Sequence, residues 1–371
     1  MKDKIRGSLF GGAIGDALGY PVEFMRSSEI FKRYGENGIC DYQREEGQAL
    51  ISDDTQMSLF TACGILYGDT RTRMRGIGAP PAAYIYEAYR DWLSTQRGVK
   101  PEEKVSWLCN VPALYSRRAP GNTCLAELGS GRMGTIKKPI NNSKGCGGIM
   151  RVAPVALYYK NTEKRDKIKA VDRLGAAAAA ITHGHPLGWL PSAALVHVIS
   201  RLVFGGCTYG QGLRDILREC EDTLLDVFGD GEDMQKLFHV IALAEKLAEN
   251  DRPDGENIEK IGGGWVAEET LGIALYCCLR YPDDFDKALI ASVNHGGDSD
   301  STGAVAGNIM GAVCGYDGIA EKWKDRLELK DVILEIADDL ASGCTMSEFD
   351  DHTDEKWVHK YIICDYSPEK G

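Results

Sequence analysis

The chain has 371 residues, enough for one large compact unit or two domains; 43% hydrophobic and 26% charged residues describe an ordinary globular protein with a sizeable core and no bias towards disorder. A net charge of −12 excludes broad nonspecific binding to nucleic acid or acidic lipid, because no basic excess exists to release counterions from a phosphate backbone. An anionic ligand therefore needs local help from metal ions, helix N-termini or a few Arg and Lys.

At the N-terminus, Lys2, Lys4 and Arg6 precede an apolar stretch that superficially resembles a secretory signal, but Asp16 interrupts it. The run is too short to span a bilayer and no other segment offers about twenty uninterrupted apolar residues, so no membrane association is expected. Within this stretch Gly7, Gly11, Gly15 and Gly19 are spaced by four and form one stripe without side chains. Glycine costs about 1 kcal/mol against alanine inside a helix, so the stripe predicts close approach of other backbone or of a ligand. Glu23 follows the Gly19-Tyr20-Pro21 break; alone it reads as a surface glutamate or as a carboxylate facing a site.

Ser52-Asp53-Asp54-Thr55 stands immediately before a helical period over 55–67. Segment 68–80 is rich in Gly, Pro and Arg and reads as a loop, a helix follows over 81–95, and 130–146 is a second long loop. Both loops are candidates to flank a cleft. Ser143-Lys144 lead into Gly145-Cys146-Gly147-Gly148-Ile149-Met150-Arg151, a glycine-rich turn entering a helix, which is either a simple turn or a phosphate cradle made of backbone amides. It lacks the Gly-Lys-Ser/Thr ending of a Walker loop and the preceding strand of a dinucleotide unit. Further helical periods cover 165–182, 188–204, 235–250, 265–281 and 328–342, separated by Pro101, Pro120, Pro186 and Pro282, and alternating strands are scarce. The expected fold is all-α.

Thr182-His183-Gly184-His185-Pro186 lacks thiolate or carboxylate partners at zinc spacing, so its histidines read as hydrogen-bonding or helix-terminating. Gly296-Gly297-Asp298-Ser299-Asp300-Ser301-Thr302-Gly303 again precedes a helix, whose Gly303, Gly307, Gly311 and Gly315 repeat the four-residue stripe. The two stripes predict buried central helices, which pack together if the match in spacing is meaningful. Each acidic cluster is explained by helix capping alone. Two such clusters, both at helix starts, equally suit a shared site for hard cations such as Mg²⁺ or Mn²⁺, which take carboxylate and hydroxyl oxygens. The twelve cysteines show no framework spacing, and Cys277-Cys278 fall inside an apolar helical pattern, which reads as small buried hydrophobes in a reducing, cytoplasmic setting.

In their order along the chain these elements resemble the ADP-ribosylglycohydrolase family: Gly11 to Gly19 with Glu23, Ser52-Asp53-Asp54-Thr55, Gly145 to Pro154, Thr182-His183, Gly264-Trp265-Val266-Ala267-Glu268-Glu269, and Gly296 to Ser301. The likeness covers roughly residues 5–345 and implies one compact multi-helix bundle over 1–345 around a central metal cleft, followed by an acidic, aromatic C-terminal extension, 346–371. It implies two Mg²⁺ or Mn²⁺ ions on Ser52, Asp53, Asp54, Asp298, Asp300 and Ser301, with Asp298 or Glu23 as the proton acceptor. It also implies ADP-ribose contacts from Gly145, Gly147, Gly148, Met150, Arg151 and His183, while Cys146 stands where other members often carry Asn. Trp265 either packs a helix or stacks on a base. The implied activity is metal-dependent release of ADP-ribose from a modified protein side chain, preferentially arginine, with serine or O-acetyl linkage and a catalytically silent ADP-ribose binder as alternatives. From the residues alone, Asp298-Ser299-Asp300 also fits the metal-chelating DxD pattern of glycosyltransferases, which predicts a mixed α/β nucleotide-binding fold. Target protein and oligomeric state are not encoded in these motifs.

Overall fold

The computed structural model describes residues 1–160, 164–205, 212–349 and 352–368. Among these residues there are seventeen α-helices and a single two-stranded ribbon, Arg44–Glu45 with Gln48–Ala49. The fold is all-α, and the mixed α/β fold predicted by the glycosyltransferase reading is absent among the described residues.

The centre is a pair of helices, Lys2–Gly19 and Ser299–Gly318, and their glycines face one another in antiparallel register. A methyl group on Gly15 would lie 1.9 Å from Gly303 O, one on Gly11 2.4 Å from Gly307 O, and one on Gly7 2.3 Å from Gly311 O. Backbone thus touches backbone along three turns. Ser8 and Asn308 lock the register: Ser8 Oγ donates to Asn308 O and Asn308 Nδ2 to Ser8 O, both at 2.8 Å. The fourth member of the second stripe departs from the pattern, since Gly315 has φ +72° inside a kink and packs against the Asp3 carboxylate. At the other end Gly19 abuts Ser299 O, so the exit of the first helix is pinned to the entrance of the second.

The predicted helices appear at Pro81–Gln96, Arg165–Ala180, Pro186–Phe204, Glu232–Ala248, Ala267–Arg280 and Lys330–Ser342. Pro186–Phe204 is long and apolar enough to cross a membrane by length and composition, but 94% of it is buried inside the bundle. The main departure is at 68–80. The helix starting at Asp53 continues to Arg75 and stops at Gly76 with φ +64°. Its last turns are polar yet helical because Thr70 and Thr72 donate to the carbonyls of Leu66 and Gly68, and Arg73 pairs with Asp69 at 2.6 Å. Segment 130–146 is irregular, as predicted.

The C-terminal segment is built into the bundle rather than appended to it, at least over its described residues, which exclude 350, 351 and 369–371. Trp357, Tyr361 and Cys364 are buried, and Trp357 Nε1 donates to Thr70 Oγ1 at 2.9 Å. Lys360, also buried, reaches Glu335 and Asp339 at 2.9 and 2.6 Å.

Candidate metal centre

Three chain segments converge where the central helix pair meets the start of Asp53–Arg75. Gly19 leads through a short 3₁₀ turn, Tyr20–Val22, to Glu23; Ser52 caps the second segment and Asp298 the third. The capping reading and the metal reading turn out to be compatible. Ser52 Oγ accepts from Asp54 N at 3.2 Å and Asp298 Oδ1 accepts from Ser301 N at 3.3 Å, which leaves the second Asp298 oxygen and the carboxylates of Asp53, Asp54 and Asp300 to crowd together at two helix N-termini. Glu23, Asp298 and Asp300 each bring a carboxylate oxygen within 4.8 Å of the others.

This cluster is buried and poor in counter-charge. Asp53, Asp54, Asp298 and Asp300 are 2–4% exposed. Burial and the neighbouring Asp300, Asp298 and Asp53 carboxylates push Glu23 up to about 11; burial and Asp300 hold Asp53 and Asp54 well above the usual carboxylate range. Asp300 is raised by burial and Asp298. Asp54 Oδ2 and Glu23 Oε2 are buried without a hydrogen-bond partner among the described residues. Arg118, which adjoins the cluster, is bonded to Glu328 and Ile51 O instead. Hard oxygen donors, unpartnered oxygens and mutual repulsion fit a divalent cation.

One member escaped the sequence reading. Asp16 is fully buried and accepts from Ser52 N at 2.9 and 3.1 Å, from Thr55 N at 3.0 Å, and from Thr55 Oγ1. Burial and Asp300 raise it to about 7. It fastens the first acidic cluster to the central helix. The signal was present as a lone carboxylate inside an apolar glycine helix, since such a group requires buried donors.

The third segment is held from behind. Asp298 N donates to Gly263 O at 2.8 Å, and a side chain at Gly297 would strike Gly263 O at 1.8 Å, so only glycine fits there. Thr302 Oγ1 donates to Asp298 O at 2.9 Å and Glu269 accepts from Gly263 N and Gly264 N. Cys146, where the resemblance left a contact open, donates its thiol to Asp298 Oδ2 at 2.7 Å. Trp265 neither packs behind a helix nor stands free: it stacks on Phe24 at 5.4 Å, with both rings exposed, and so bridges the loop of Glu23 to the loop behind Asp298.

The glycine-rich segment forms a 3₁₀ helix, Cys146–Arg151, beside the carboxylates. Met150 Sδ lies 4.0 Å from Ser301 Oγ. Gly145 and Gly147 pass in front of His183: added methyl groups would meet its ring at 3.4 and 3.1 Å, whereas Gly148 packs inward on Gly188 O. Arg151 requires a correction. Its guanidinium is enclosed, over the Tyr89 ring at 4.2 Å and donating to Thr182 Oγ1 at 2.6 Å, because burial without a carboxylate is compensated by these partners. It is not presented to a ligand. Thr182 Oγ1 also shares a hydrogen bond of 2.9 Å with His183 Nδ1, which ties the ring to the Arg151 side. Burial and Arg151 lower His183 to about 3, so the ring is a neutral donor. His185, instead of ending a helix, caps the start of Pro186–Phe204 by accepting from Leu187 N at 3.0 Å.

A family profile described as ADP-ribosylglycohydrolase matches residues 1–348. The chain is 28% identical over 341 residues to the ADP-ribosyl-dinitrogen reductase glycohydrolase of Rhodospirillum rubrum, covering 89% of this chain and 92% of that one. It is 28% identical over 203 residues to the human ADP-ribosylhydrolase ARH3, covering 50% and 54% of the two chains. A solved structure of an ADP-ribosylglycohydrolase-related protein complex shares the fold, with a TM-score of 0.62 at 21% identity over 92% of this chain and 98% of that one.

Proposed function

Since the chain belongs to the ADP-ribosylglycohydrolase family, we propose that it hydrolyses the bond between the anomeric carbon of a terminal ribose in ADP-ribose and a protein side chain, with ADP-ribosyl-arginine as substrate. The observation that carries this reading is the meeting of half-buried Glu23 with buried Asp298 and Asp300 beside the unpartnered Asp54 Oδ2. Ser52, Asp53, Asp54, Asp298, Asp300 and Ser301 would hold two Mg²⁺ or Mn²⁺ ions, whose chemistry when bound is to anchor ribose hydroxyls and acidify a water.

Glu23 is the residue best suited to move the proton. Its Oε2 has no partner among the described residues, whereas Asp298 is oriented by the Cys146 thiol and Ser301 N. Glu23 is ionised once the charge of its neighbours is neutralised. It accepts a proton as the water oxygen bonds to the anomeric carbon; the carbon–nitrogen bond breaks, its electron pair stays on the side-chain nitrogen, and that nitrogen takes the proton. Positive charge developing on the ring is stabilised by the surrounding carboxylates. Half-buried Gly145, with Gly147 and the His183 ring behind it, forms the wall along which ADP-ribose lies.

The test follows free ADP-ribose from arginine-, serine- and O-acetyl-linked substrates with Mg²⁺, Mn²⁺ or chelator. Chelator-sensitive release from the arginine linkage is expected. No release from any linkage would overturn the hydrolase reading, and release from serine alone would overturn the substrate.

A further inference from the structure

Glu23 also lines a cavity of about 460 Å³. Its walls carry two carboxylates, Glu23 and Glu45, two aromatic rings, Tyr20 and Phe24, and the amide of Gln43. The ribbon that bears Glu45 explains the choice of charge. Successive side chains of a strand point to opposite faces, so Glu45 enters the cavity wall while its neighbour Arg44 does not. Glu45 is exposed and forms no ion pair among the described residues. No Lys or Arg belongs to the wall, and Arg118, close enough to influence Tyr20, is committed to Glu328.

Glu23 belongs to both places. It is one of the three carboxylates gathered at the candidate metal centre and also a wall of this cavity. Because Glu23 borders both, a group attached to a sugar held at the carboxylates is within reach of the cavity. Two carboxylates with two rings suit a planar, delocalised cation, since a guanidinium stacks on aromatic faces and pairs with carboxylates through its fork of N–H donors.

We propose that this cavity receives the side chain from which ADP-ribose is released and selects one bearing a guanidinium, through Glu45, Tyr20 and Phe24. The assignment rests on the hydrolase reading above and adds the residues that set its preference.

The experiment compares wild type, Glu45→Gln and Glu45→Lys, each checked for an unchanged helical circular-dichroism spectrum. The first readout is the ratio of kcat/KM for an ADP-ribosyl-arginine peptide to that for O-acetyl-ADP-ribose with Mn²⁺. Glu45→Gln should lower the ratio about 3-fold and Glu45→Lys at least about 10-fold, chiefly through KM. A ratio unchanged in both variants overturns the proposal. The second readout needs no turnover: binding of agmatine, a guanidinium without ADP-ribose, followed by saturation-transfer NMR. Binding to wild type that is lost in Glu45→Lys supports the cavity even where no linkage is cleaved, whereas equal binding to both, or none to wild type, overturns it. Failure to cleave any linkage strikes the hydrolase reading alone.

Discussion

Gly15→Ala probes the contact on which the candidate metal centre depends. The added methyl would sit 1.9 Å from Gly303 O and 2.2 Å from its carbonyl carbon, and both obstacles are backbone. No rotamer change relieves the clash, so the helices must separate by roughly 1.5 Å to restore an ordinary contact of about 3.5 Å. Overpacking of this kind costs about 1–3 kcal/mol, and the absence of a yielding side chain places Gly15 at the upper end. The gain of about 1 kcal/mol in helix propensity offsets only part of it. For a chain of 371 residues a net loss of about 2 kcal/mol corresponds to a fall in Tm of roughly 2–3 °C. Because Gly15 adjoins Asp16 and Gly303 follows Asp300 by three residues, the same separation spreads the carboxylates, and a misplacement near 1 Å costs turnover on the order of 100-fold. Thermal unfolding by circular dichroism, paired with ADP-ribose release, checks both. Gly255→Ala is the control, since it lies in the helix Asp254–Ile261 with nothing within 4 Å of the new methyl; it should be neutral or slightly stabilising. Equal melting temperatures for Gly15→Ala and Gly255→Ala would refute the argument that backbone contact, not helix propensity, requires the stripe.

Asp300→Asn removes a carboxylate that raises Asp16, Glu23, Asp53 and Asp54. It should raise Tm in chelator, abolish the further rise on adding Mn²⁺, and lower turnover by at least about 100-fold; Mn²⁺-dependent melting and kinetics check it. The pH dependence follows the same carboxylates. With folded values raised to about 7 for Asp16 and about 11 for Glu23, the native state binds more protons than the unfolded chain, so chelated protein loses stability as pH rises through 4 to 7 and beyond. Mn²⁺ should therefore raise Tm more at pH 8 than at pH 5, and a rise independent of pH would contradict the assignment. Trp357→Ala empties a buried site against Thr70 and should cost about 3–5 kcal/mol in urea unfolding; a loss under about 1 kcal/mol would mean that the C-terminal segment is not part of the core.

The helices were legible where one face is apolar, and the glycine stripes were legible as contacts because glycine in a helix has no other common reason. What escaped has a shared cause. At 68–75 the helix carries a single large apolar residue, Met74, too few for periodicity to register, and Thr70 and Thr72 bond back to carbonyls. Arg151 was expected to contact ADP-ribose only through the family resemblance; its burial depends on Tyr89, Cys124 and Thr182, which are distant in sequence or out of pattern. Asp16 was visible as an anomaly, but its partners Ser52 and Thr55 are 36 and 39 residues away. The ribbon that carries Glu45 is two residues per strand, too short for alternation to register.

The central pair also fixes an order of events. Ser8 and Asn308 are 300 residues apart, so the helix Lys2–Gly19 meets its mate only after the roughly 280 residues between the two helices have been made. Until then its glycine face has no partner and the three acidic segments remain apart. Contacts of such long separation are slow to form, and a nascent chain released before about residue 318 holds Glu23 and Asp53 with nothing opposite them. The central contact thus acts as a checkpoint on synthesis: only a chain translated through Ser299–Gly318 gathers the carboxylates into one place.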